Sequence, residues 1–75
     1  MTLDAVPLDV RVRVLGCAEL MAHDRDRLAG LGLRPGVSVV KLLKTPLRDP
    51  IECLVGSSLL AIEVRLLHLI RVEIE

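Results

Sequence analysis

The sequence predicts a mainly β domain, a small antiparallel barrel of about five strands with one α-helix between the first and second. Three observations lead there. Two segments, VRVRV at 10–14 and IRVEIE at 70–75, alternate apolar and charged residues with the period of a half-buried strand. Turn signals built on Gly and Pro recur at short intervals between the apolar runs. A chain of 75 residues, read as a single domain over 1–75, protects its strand edges best when successive hairpins close on themselves.

Each element has its own signal. Val10, Val12 and Val14 fall on one face of the first strand and Arg11 and Arg13 on the other, and Gly16 ends it. Between 19 and 31 the spacing becomes helical, with Leu20, Leu28 and Leu31 on one stripe and most of the charged residues at 23–27 opposite. Asp24 is a candidate N-cap of a shorter helix, because its carboxylate can accept from the free amides of a first turn. Gly32 closes the helix in the left-handed region, with Leu33 reaching back toward Leu28. Arg34-Pro35-Gly36-Val37 then reads as a type II turn: Pro35 presets φ at the second position and Gly36 supplies positive φ at the third.

Residues 37–44 form the next strand, and the pairs Val39-Val40 and Leu42-Leu43 place aliphatics on both of its faces, which requires a bulge or a second contact face. The loop TPLRDP at 45–50 is bracketed by Pro46 and Pro50, neither of which can donate to a ladder, so a stiff exposed loop is expected. Residues 51–55 and 59–63 make a hairpin around Gly56-Ser57-Ser58. A short helical turn at 64–69 leads into the final strand, which pairs with the first to close the barrel.

Composition narrows the function. Ten Lys and Arg balance ten Asp and Glu, and there is no Phe, Tyr or Trp, so both the basic footprint and the stacking platforms of a nucleic-acid binder are missing. The uncharged apolar stretch at 53–62 is half of the ~20 residues that a membrane span needs, so no membrane insertion is expected. Asp4 and Asp9 stand where a secretory leader would be basic and then apolar; the expectation is a cytoplasmic protein with Cys17 and Cys53 as reduced thiols. No two of Cys17, His23, Cys53 and His68 are two to four residues apart, so neither a metal site nor a cofactor is expected. Ser57 and Ser58 sit in a turn, with His68 as a distant base and no third group to orient it, so the chain is not read as an enzyme.

The order of punctuation carries a resemblance. Arg27-Leu28, Leu31-Gly32-Leu33, Pro35-Gly36, Pro46-Leu47, Asp49-Pro50-Ile51, and Ile70 with Val72 together resemble the ferrous iron transport protein A family, FeoA, over 6–72. The resemblance implies an SH3-like domain and a cytosolic accessory role in bacterial ferrous iron uptake. It implies docking on the transporter FeoB, whose cytosolic portion includes a GTP-binding domain. A GTPase-stimulating arginine would have to be mobile and exposed, such as Arg34 or Arg48, and ordinary solvated arginines explain both equally well.

Docking also has a physical basis. A barrel this small cannot enclose all its leucines, valines and isoleucines, and the second-face residues Leu42, Leu54 and Leu66, with the loop around Leu47, are the expected surplus. The expected partner surface therefore comprises Leu31, Arg34, Pro35, Leu42, Pro46, Leu47, Arg48, Asp49, Pro50, Leu54 and Leu66. Two other readings stay open: a self-associating structural domain that forms a homo-oligomer, and a detached C-terminal sensor domain of an iron-dependent repressor.

Overall fold

A computed structural model describes residues 1–44, 46 and 48–75, with the backbone alone at 43 and 44. The elements in order are β1 (Arg11–Gly16), α1 (Ala22–Gly30), β2 (Ser38–Lys44), β3 (Ile51–Val55), β4 (Ser58–Ile62), α2 (Val64–Leu67) and β5 (Arg71–Ile74), preceded by a 3₁₀ turn at Leu3–Ala5. The mainly β class, the five antiparallel strands and the helix after the first strand are as the alternation and turn signals require. Val12 and Val14 are buried while Arg11 and Arg13 face solvent. In β3, Ile51, Cys53 and Val55 point inward.

The sheet order is β4-β3-β2-β1-β5, so among the described residues the ladder does not close into a hydrogen-bonded ring: β4 and β5 are its two ends. The chain between them forms α2, whose Leu66 and Leu67 are buried, so that side of the core is sealed by a helical turn instead of a ladder. The outer edge of β5 is covered by the N-terminal segment, through a bridge between Thr2 and Arg71 and hydrogen bonds from Leu3 N to Ile70 O (2.9 Å) and from Val72 N to Met1 O (2.9 Å). The expected bulge in β2 is present as a register shift against β3 between Lys41 and Leu43. A second shift lies in β1 against β5, between Val14 and Gly16.

The helix-to-strand punctuation matches its sequence signals closely. Gly32 has φ 106°, Leu33 N donates to Leu28 O (2.9 Å) and Gly32 N to Ala29 O (3.0 Å), the paired bonds of a Schellman stop, and Leu28 and Leu33 are both buried. Gly36 has φ 93° and Val37 N donates to Arg34 O, as a type II turn demands.

Three local expectations are corrected. The helix ends at Gly30, so Leu31 leaves the helical stripe at the C-cap and is 49% exposed, while Leu20 and Leu28 are buried. Asp24 is not the N-cap. Met21 holds that position and Asp24 lies in the first turn, 2% exposed, its carboxylate covered by Arg65 from another element and by Arg27. Leu66 is 1% exposed and belongs to the core, since α2 turns Leu66 and Leu67 toward the interior.

Candidate docking surface

The expected partner residues separate into groups. Leu31, Arg34 and Pro35 cluster at the end of α1 and all are exposed. Arg34 is not free to extend, because its Nε donates to Ala29 O at 3.0 Å and so supports the last carbonyls of the helix. Leu42 and Leu54 are half-buried on β2 and β3. Leu54 lies in register between Val40 of β2 and Leu59 of β4, which makes an aliphatic row across the outside of the sheet. Leu66 is in the core. Leu47 lies outside the described residues.

One described residue of the β2–β3 loop, Arg48, lines a concave site. Pro46 is exposed, and Arg48, exposed with φ 63°, lines a groove of about 370 Å³. Asp49 precedes Pro50 through a cis peptide, and its Oδ1 accepts from Val64 N (3.0 Å), which satisfies a free amide at the start of α2. The opposite wall of the groove is the N-terminal segment, with Asp4, Val6, Pro7 and Leu8, and Val64 and Leu67 of α2 complete it. Leu8 is 37% and Val64 41% exposed, so apolar surface remains open to solvent at its mouth.

Lys41 explains why the N-terminal segment can form a wall. Only 7% exposed, Lys41 lies at the floor of the groove and its Nζ donates to the carbonyls of Val6 (2.7 Å), Leu3 (3.0 Å) and Asp4 (3.4 Å). An ammonium gathered by the carbonyls of a 3₁₀ turn meets the negative end of that turn. Asp9 N also donates to Lys41 O (2.8 Å), closing the loop back onto β2. The clue in the sequence was parity, because Lys41 continues the inward positions of Val39, but its acceptors are backbone groups that no side-chain pattern reveals.

A second polar centre is built around Asp24, Arg27, Glu63 and Arg65. Arg65 grips Asp24 with two bonds of 3.1 Å, Nη1 to Oδ2 and Nη2 to Oδ1, and Arg27 adds a longer bond at 3.4 Å. The Arg65 hydrogen bonds hold the Asp24 carboxyl below its usual range, against the opposing effect of burial. Arg27 also reaches Glu63 at 3.0 Å, which with Asp24 raises the Arg27 pKa. The cluster ties α1 to the α2 segment. It is saturated by its own partners and offers no ligand position.

Cys53 is fully buried, and loss of hydration pushes its thiol up to about 11, with Lys41 opposing and Glu52 adding to the shift. Cys17 is raised for the same reason, and both cysteines are free thiols. Among the described residues, no three His, Cys, Asp or Glu side chains come together in a metal-holding group. No helix is long and apolar enough to cross a membrane among the described residues.

Comparisons with known proteins agree with this architecture. The chain matches the FeoA domain family over residues 1–74. The solution structure of iron(II) transport protein A from Clostridium thermocellum superposes with a TM-score of 0.87 at 30% identity over 99% of this chain, which spans 45% of that one. For FeoA from Chlorobium tepidum the values are 0.91 and 31%, covering 99% of this chain and 70% of the other. The crystal structure of zinc-complexed FeoA from Stenotrophomonas maltophilia, described as a prokaryotic SH3 domain protein and a candidate activating factor of ferrous iron transport, gives 0.78 and 29%, with coverage of 97% and 89%. A search of curated proteins finds no match.

Proposed function

Because this chain belongs to the FeoA family, which is associated with ferrous iron transport, we propose that it is a cytoplasmic accessory protein of that uptake system and docks on the cytosolic part of the FeoB transporter. The observation that carries the reading is the groove between the N-terminal segment, the β2–β3 loop and α2, where Leu8 and Val64 stay open to solvent beside Arg48. Exposed aliphatic surface on so small a domain is the usual mark of a partner site. The role is regulatory, exerted by binding and not by turnover. Arg48 lines this groove and Pro46, Asp49 and Pro50 flank it in the same loop, whereas Leu31, Arg34 and Pro35 lie at the end of α1. Zinc, present in the S. maltophilia structure, is not part of the proposal, since the described residues offer no group to hold it.

Calorimetric titration of the cytosolic region of FeoB tests the reading. Burying a valine contributes about 1.5–3 kcal/mol, so Val64→Asp is expected to weaken binding by roughly ten- to a hundredfold. Val64 is 41% exposed, so the variant is expected to fold. Absence of binding up to about 100 µM, or unchanged affinity in the variant, contradicts the proposal.

A further inference from the structure

The chain treats its two sheet edges differently. The N-terminal segment covers the outer edge of β5, yet among the described residues nothing pairs with the outer edge of β4. Natural edge strands are usually blunted by Lys, Pro, a bulge or a cover. β4, Ser58–Ile62 with the sequence SLLAI, carries no charge and no proline, and its ladder with β3 runs without a register shift.

Backbone alternation identifies the unpaired groups. Gly56 (φ 60°) and Ser57 form a two-residue turn of the type that starts with positive φ, closed by the pair Val55–Ser58. Hydrogen-bonded pairs then recur at Cys53–Leu60 and Ile51–Ile62, so the N–H and C=O groups of Leu59 and Ala61 point away from β3. We propose that this edge pairs with the same edge of a second copy of the chain, antiparallel and centred on Leu60, joining the two sheets into one.

The strand is self-complementary in that register. Leu59 of one copy opposes Ala61 of the other on the outer face, large against small, and the half-buried Leu60 side chains meet across the two-fold axis on the inner face. Charge is compatible as well. The outer row Arg11, Val40, Leu54, Leu59 continues into Ala61 and then Glu52 of the second copy, so each row holds Arg11 of one copy and Glu52 of the other, well separated, and no like charges face each other. One short strand covers less than the ~800 Å² per partner of a stable complex, so the association is weak and reversible. Leu59, Leu60 and Ala61 are not among the residues that line the groove proposed for the transporter.

Light scattering and amide exchange, followed as concentration rises to about 1 mM, test the pairing. The expected result is a mass that rises toward twice the monomer, with exchange at Leu59 and Ala61 slowed. Leu59→Lys and Ala61→Pro are expected to reduce self-association at least tenfold. Leu59 is 64% exposed, so its variant tests the surface without disturbing the core. A monomer at every concentration, association unaffected by both variants, or β4 amides that shift only when the cytosolic region of FeoB is added would each overturn the proposal.

Discussion

Replacing Lys41 by methionine keeps an unbranched apolar stem and deletes the ammonium that pins the N-terminal segment. Among the described residues, Val6 O accepts only from Lys41 Nζ, whereas Leu3 O also accepts from Val6 N at 3.3 Å. The substitution therefore orphans one buried carbonyl fully and one partly. A buried acceptor left without its donor costs about 1–3 kcal/mol, so the full and the partial loss together come to roughly 2–4 kcal/mol. A chain of this size has only roughly 4–11 kcal/mol of stability in total. At 4–8 °C per kcal/mol, the melting temperature is expected to fall by about 10–30 °C. Circular dichroism reads that shift, and amide exchange shows where it originates: Leu3 and Val72, which bond across the N-terminal segment and β5, are expected to lose protection first. A melting curve unchanged or shifted upward in Lys41→Met would mean that freeing the ammonium from burial outweighs its hydrogen bonds, and would refute this account of the clamp.

Further outcomes follow from the same geometry. An added Cβ meets nothing within 4 Å at either Gly30 or Gly32, but only Gly32 has positive φ. Gly30→Ala is therefore expected to stabilise the helix by about 0.5–1 kcal/mol and Gly32→Ala to destabilise by about 1–2 kcal/mol, so melting shifts of the same sign would contradict the Schellman reading. The depressed Asp24 carboxyl favours the folded state above the ordinary aspartate range, and this contribution is lost as pH falls through the lowered folded-state value. Stability measured against pH is accordingly expected to fall less steeply on the acid side in Asp24→Asn than in the parent. Cys53, buried and with its thiol pushed up to about 11, is expected to react with a thiol reagent near neutral pH at a rate that tracks unfolding. Rapid labelling of the folded protein would contradict its placement.

Local signals were legible in the sequence wherever one stretch of chain contains both halves of an interaction. Gly32, Leu33 and Leu28 specify their stop within six residues, and the alternation of β1 and β5 announces which face is buried. The sequence conceals the role of Asp24 because its partner, Arg65, is 41 residues away, and in the first turn of a helix an acidic residue looks like a cap whether or not another element covers it. Lys41 shows the same limit for the site, since the carbonyls that hold it belong to residues 3–6 and backbone acceptors leave no trace in side-chain patterning. The surplus of aliphatic residues was foreseeable, but its location was not. Leu66 lies in the core because α2 turns it inward, while Leu8 and Val64 stay exposed at the groove.

The docking claim is tested most directly by mapping amide shifts as the cytosolic region of FeoB is titrated into the labelled chain. Shifts concentrated at Leu8, Arg48 and Val64 are the predicted result. Shifts confined to the end of α1 around Leu31 and Arg34, or none at all, would contradict it.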